Sequence, residues 1–114
     1  MLSYDSEIGI GYWIFKLSTR HPFFLAARVH DAWYDDLIAK TCPKTLAQID
    51  KEFYNNMLRD AWRLGWQQKD PVTAIRYTVM ARRFYKIARW WAVYIRPELE
   101  AYRPERDRVF EAKQ

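Results

Sequence analysis

The sequence predicts an all-α protein in which an antiparallel helix pair is followed by a third long helix and a short helical C-terminal tail. Three observations support this fold class. Apolar residues recur every three or four positions over three long stretches, as they do on one face of a helix. Helix-start signals precede these stretches, and proline-containing breaks separate them. Only three glycines and five prolines occur among 114 residues, which argues against a loop-rich or disordered chain.

Length and composition predict a single helical domain over residues 1–114, because a chain of this size can bury one core but not two. Residues 1–20 predict a loop or extended segment, and residues 97–114 a charged tail. The N-terminus has no basic region typical of a secretory signal, and no apolar run approaches the roughly 20 residues of a membrane span. Cys42 is the only cysteine and has no internal disulfide partner, which suits a reducing compartment.

The first two helices are predicted over Pro22–Ala39 and Thr45–Leu64. Pro22 suits a first helical turn, and Thr45 with Gln48 has the spacing of a capping box. We expect Gly65 to end the second helix as its C′ residue. The short connection between the helices favours antiparallel packing. The predicted apolar stripes are Phe23, Ala27, Tyr34, Leu37 and Ile38 on the first helix, and Leu46, Phe53, Met57, Ala61 and Leu64 on the second.

The third helix is predicted over Pro71–Ile95, with Asp70 as its N-cap and Arg96-Pro97 as its stop. It is apolar nearly all round, so it is either deeply packed or in contact with another molecule. The apolar residues that give this pattern are Val72, Ile75, Val79, Met80, Phe84, Ile87, Trp91 and Tyr94. In the tail beyond it, which Pro104 divides, we expect one or two short exposed helices.

Two polar residues interrupt the apolar stripes of the first two helices. His30 lies mid-stripe on the first helix and Asp50 mid-stripe on the second. Because a buried unpaired carboxylate is very costly, we expect the two side chains to form a direct hydrogen bond. Tyr34, one turn from His30, is placed to reach Asp50 as well. Asp31 falls at the edge of the stripe, so its replacement by alanine should cost far less stability than that of Asp50.

These residues resemble a known pattern. The segment His30-Asp31-Ala32-Trp33-Tyr34, followed by Asp50-Lys51-Glu52-Phe53, resembles the helix pair of phospholipase A2, most of all its small prokaryotic forms. It also resembles a family of short uncharacterised bacteriophage proteins with the same HD-x-x-Y and D-x-x-F helices. The resemblance covers residues 28–64, about a third of the chain.

The resemblance to phospholipase A2 implies roles for individual residues. In that enzyme the histidine is the general base for a water that attacks the ester, a role that would fall to His30. Asp50 and Tyr34 would orient the imidazole. Asp31 would bind calcium with the upstream glycine segment, here represented by Gly9 and Gly11. Such chemistry is physically sensible, since a neutral imidazole takes a proton from water and a hard cation stabilises the oxyanion.

Two functions from different classes stay open. The first is a non-catalytic phage virion or tail component, located in the virion or the host cytoplasm, that uses no cofactor and keeps the helix pair as a scaffold. The second is a calcium-dependent lipid ester hydrolase with His30 as general base. The cysteines of the enzyme's calcium loop and the disulfides that brace its helices have no counterpart here. The first hypothesis is therefore favoured, with the histidine and aspartate as a buried pair that fixes helix register.

A basic aromatic surface is the other functional signal. Between Pro71 and Arg96 there are six basic residues and no acidic one. Such a surface fits other protein subunits, as in a phage particle, or an anionic lipid surface. A nucleic acid is disfavoured, because the net charge of +5 is low for that class. The predicted surface consists of Arg82, Lys86, Arg89, Trp90, Trp91 and Arg96.

Overall fold

The computed structural model describes residues 17–105 and confirms the all-α fold. Its helices are α1 (Phe24–Ile38), α2 (Leu46–Gln67), α3 (Pro71–Tyr94) and the short α4 (Pro97–Glu100). No strand occurs within this range. The predicted N-terminal loop, apart from its last residues, and the last residues of the charged tail lie outside the described residues.

Helix α1 begins two residues after Pro22, and its N-cap residue Phe23 makes no side-chain capping bond. The start is instead supported by His21, whose Nδ1 accepts a hydrogen bond from the Phe23 backbone N–H at 3.0 Å. The chain turns away after the helix at Lys40, in the left-handed region with a φ of 60°. Ile38, predicted to be part of the apolar stripe, is 45% exposed because it lies on the outer side of the last turn.

Helix α2 starts as predicted but does not end as predicted. The capping box is formed, with the Gln48 N–H donating to Thr45 Oγ1 and the Thr45 N–H donating to Gln48 Oε1. Gly65 does not end the helix, which continues to Gln67. The left-handed residue of the following turn is Lys69, with a φ of 52°. Gly65 is needed for a different reason, because a Cβ built on it would lie 2.5 Å from the Cβ of Ala74.

Helix α3 starts at the predicted N-cap, where Asp70 accepts hydrogen bonds from the Val72 N–H and the Thr73 hydroxyl. It runs antiparallel to α2. Its fully buried side chains are small, which lets the two backbones approach closely. Most of its large apolar side chains lie on the outer face or at its edges, and this explains the apolar pattern all round the helix. The buried residues are Ala74, Ala81, Ala88 and Ala92. The most exposed apolar residues are Val72, Ile75, Val79, Ile87, Trp90, Val93 and Tyr94.

The core consists of two clusters on the α1 side of the α2–α3 pair. The cluster nearer the start of α1 contains Phe23, Ala26, Ala27, Phe53, Met57, Ala61 and Ala81. The cluster nearer its end contains Tyr34, Leu37, Cys42, Leu46, Ile49, Ala88, Ala92 and Tyr102. These groupings show that α1 and α2 are antiparallel, as predicted. The predicted short helix of the tail is present as α4, which has no buried residue, whereas Tyr102 after it packs into the core.

Candidate functional site: a buried polar network

The predicted hydrogen bond between α1 and α2 is confirmed. His30 Nε2 and Asp50 Oδ1 are 2.8 Å apart, and the two residues are 1% and 0% exposed. A carboxylate is an acceptor only, so His30 carries a proton on Nε2 and donates it to Asp50. The contact therefore fixes the imidazole tautomer and the register of α1 on α2.

The second carboxylate oxygen of Asp50 is also used. Arg89, on α3, donates from Nη1 to Asp50 Oδ2 at 2.8 Å, and its Nη2 pairs with Glu100 at the end of α4. A single network thus joins all four helices. Arg89 was predicted for the partner surface, and Glu100 was not among the predicted site residues. The missed signal was the second oxygen of a mid-stripe carboxylate, which requires a donor of its own when buried.

The other nitrogen of the imidazole is available. His30 Nδ1 is buried and has no hydrogen-bond partner within residues 17–105. The ring packs against Phe53, with 4.7 Å between the ring centroids. With the proton on Nε2, a neutral His30 presents the Nδ1 lone pair as an acceptor or a base. The arrangement is chemically that of an oriented general base, but the side chain is closed to solvent.

Tyr34 does not make the contact predicted for it. Its hydroxyl accepts a hydrogen bond from Arg96 Nη1 at 2.9 Å and does not donate one to Asp50. Burial raises the pKa of Tyr34 to about 12, against the lowering effect of the nearby Arg96 guanidinium. Tyr34 therefore stays neutral at physiological pH. The tyrosine turns towards the end of α3 because that is where Trp91, whose ring centroid is 5.4 Å away, packs against it.

Of the predicted calcium ligands, only Asp31 lies among the described residues. Asp31 was expected at the edge of the apolar face but is buried, with 4% of its surface exposed. The small loss of stability predicted for Asp31→Ala assumed an exposed edge position, and that assumption is wrong. Gly9 and Gly11 lie outside the described residues. Within residues 17–105, no group of three or more histidine, cysteine, aspartate or glutamate side chains could hold a metal ion.

The predicted basic aromatic surface divides into two parts. Arg82, Lys86 and Trp90 are exposed, as a partner surface requires. The other three predicted members face inwards, because each finds a partner in the core or at its edge. Arg89 bonds Asp50, Trp91 packs on the cluster around Tyr34, and Arg96 bonds Tyr34 and, at 2.5 Å, Glu98.

The exposed part of this surface belongs to a larger outward face of α3. Basic and apolar side chains alternate there, and the 24 residues of the helix include no acidic one. The basic residues are Arg76, Arg82, Arg83 and Lys86.

No helix within residues 17–105 has the length and hydropathy needed to cross a membrane. Comparisons of the whole chain with models of protein families, with curated proteins and with solved structures gave no match.

Proposed function

We propose that this chain is a non-catalytic interaction protein, a structural component of a bacteriophage particle, that binds other protein subunits through the outward face of α3. The observation that carries the proposal is the arrangement of side chains on α3. The helix buries alanines and leaves large apolar and basic side chains in solvent. Large exposed apolar areas on soluble domains mark interaction sites.

The chemistry of that face indicates the kind of partner. Arginine and aromatic residues are enriched where proteins bind one another. The absence of acidic residues along α3 favours a partner surface that carries carboxylates. Basic and apolar side chains are intermixed on this face and not separated into stripes, which fits a protein surface better than the layered boundary of a lipid bilayer. The phage assignment rests on the resemblance of the HD-x-x-Y and D-x-x-F helices.

The buried network supports the scaffold interpretation of His30 and Asp50. Every charged member has a partner on another helix, and Asp50 has two. Such a network is worth little as net stability, but each of its contacts joins two different helices and so constrains how they pack. A rigid arrangement is what a helix face needs in order to present a fixed pattern of side chains to a partner.

The test is recovery of the chain in purified phage particles, quantified by mass spectrometry. We expect the wild-type chain at a constant ratio to the major particle protein. Arg82→Glu combined with Lys86→Glu should lower its recovery at least about tenfold, equivalent to about 1.4 kcal/mol of binding free energy. Arg20→Glu with Arg28→Glu changes the net charge equally at exposed sites outside α3 and is the matched control. Absence of the wild-type chain from particles contradicts the proposal, as does equal recovery of all three forms.

One observation favours a second candidate, a calcium-dependent lipid ester hydrolase of the phospholipase A2 type. His30 is oriented through Nε2 and has an unpartnered Nδ1, so it could take a proton from water if the site opened. The test is fatty-acid release from phospholipid vesicles with calcium and with a chelator. Calcium-dependent release that His30→Gln abolishes, in a variant with an unchanged circular dichroism spectrum, would establish the enzyme. Release no greater than in a protein-free blank supports the non-catalytic function.

A further inference from the structure

A groove lies at the turn between α2 and α3, away from the polar network and from the middle of the basic face. Its volume is about 610 Å³, within the range of cavities that bury a small ligand. The floor is the close approach of Gly65 to Ala74, and the walls include Trp62, Trp66 and Pro71. The lining is therefore mostly apolar, with Lys69 and Asp70 at one side.

The two tryptophans of this groove are unusually exposed. Trp62 is 60% exposed and Trp66 is 87% exposed, one turn apart on α2. Taking about 250 Å² for a whole tryptophan, the two rings present roughly 370 Å² of surface to solvent. Val72 and Ile75, each 59% exposed, extend the apolar surface on α3. Together, these four exposed side chains present an apolar area that approaches what each copy contributes to a small specific interface.

The local charge distinguishes this end of the molecule from the outward face of α3. Residues 59–70 carry three basic and two acidic side chains, namely Arg59, Arg63 and Lys69 with Asp60 and Asp70. Residues 71–94 carry five basic side chains and no acidic one. Two copies that met through α3 would bring like charges together. Two copies that met at the groove would bring together only a nearly balanced charge, and Lys69 of one copy could pair with Asp70 of the other.

We propose that the groove binds the Trp66 indole of a second copy of this chain, so that two copies form a dimer through the ends of their α2–α3 hairpins. Each copy supplies both a protruding indole and an apolar groove beside it. A two-fold axis therefore satisfies both sites at once, as in an isologous interface. The dimer uses only Val72 and Ile75 from the outward face of α3 and leaves Arg82, Lys86 and Trp90 free, so it does not depend on the function proposed above. The modest area predicts reversible association.

The test is sedimentation velocity of the purified full chain at concentrations from about 1 µM upward. Small interfaces are usually weak, so dimerisation is expected in this range. We expect the wild type to shift from monomer to dimer as its concentration rises. Trp66→Ala should raise the dissociation constant at least about tenfold, or 1.4 kcal/mol. Lys69→Glu, which places two acidic residues side by side, should raise it by a smaller factor. Trp90→Ala removes a tryptophan that is 53% exposed on α3, outside the groove, and is the matched control.

Folding is checked by the urea midpoint of each variant at a concentration where the wild type is monomeric. Four results would overturn the proposal. The wild type could stay monomeric at every concentration. The dimer could persist unchanged in Trp66→Ala, or Trp90→Ala could weaken it as much as Trp66→Ala does. Binding to anionic phospholipid vesicles that requires Trp66, in a chain that stays monomeric, would also overturn it by assigning the groove to lipid.

Discussion

The two ends of the α2–α3 hairpin differ in which side chains they bury. One end buries polar side chains, and the other exposes apolar ones. At one end a carboxylate and an imidazole, Asp50 and His30, are almost completely buried. At the other end Trp62 and Trp66 lie mostly in solvent. These buried polar groups are tolerated because every helix contributes to their hydrogen-bond network. The exposed rings, by contrast, contribute little to folding and are free to bind. The comparison separates residues that fix the arrangement of the helices from residues that act on something outside it.

The largest effect is expected from breaking the network at its centre. Asp50→Ala leaves both His30 and Arg89 without their carboxylate, so we expect it to lower the free energy of unfolding by about 3–5 kcal/mol. Urea denaturation followed by circular dichroism measures the change. The control is Asp36→Ala, at an exposed position on α1, which should stay within about 0.5 kcal/mol of the wild type. Similar losses for the two variants would mean that the network adds no special constraint.

The next effect is expected at the floor of the groove. Gly65→Ala places a methyl group 2.5 Å from the Ala74 Cβ, so α2 and α3 must separate locally, at a cost of about 1–3 kcal/mol. Adding Ala74→Gly should restore part of the loss, less the roughly 1 kcal/mol that a helical glycine costs. A double-mutant cycle on the urea unfolding free energies measures the coupling. Additive losses would show that the two positions do not clash.

A smaller effect is expected at the start of α1. Burial lowers the pKa of His21, whose Nδ1 also accepts the Phe23 N–H. The unfolded chain therefore takes up the His21 proton near pH 6.5, before the folded chain does, and stability falls as pH is lowered through that value. His21→Asn keeps an acceptor for the same N–H but does not titrate. Its unfolding free energy should fall less than that of the wild type between about pH 7 and pH 5. An equal fall would contradict this origin.

The smallest effect is expected at the exposed end. Trp66→Ala should change the unfolding free energy of the monomer by no more than about 0.5 kcal/mol, because the ring loses little buried surface. Trp91→Ala is the matched comparison. It removes a half-buried ring that packs on Tyr34 and the cluster around it, and should cost several times more. If Trp66→Ala lowered the free energy of unfolding as much as Trp91→Ala does, Trp66 would contribute to the core and the contrast between the two ends would fail.

Local signals in the sequence predicted most of the fold. The capping box at Thr45 and the N-cap at Asp70 involve residues two or three positions apart, so their geometry follows from the helix alone. The contact of His30 with Asp50 was also predictable. Both residues interrupt apolar stripes on helices joined by a short turn, and each needs a partner.

The wrong predictions concern residues that could contact more than one neighbour in the folded chain. Gly65 has the residue type of a helix end, yet its role is set by how closely α3 approaches it. Tyr34 could have reached Asp50 but bonds Arg96. On a helical wheel Arg89 points in nearly the same direction as Arg82 and Lys86. Only its position along the helix axis brings it next to Asp50.

The sequence by itself therefore determined that this chain is all-α, where the second and third helices begin, and which two polar residues meet between the first pair. Those features depend on spacing along one helix or across one short turn. Only the tertiary structure decided which face of α3 is buried and which partners Asp50, Tyr34 and Arg89 use. A helix that is apolar all round has no preferred inner face until its neighbour packs against it, and here the close approach of α2 selects the alanines.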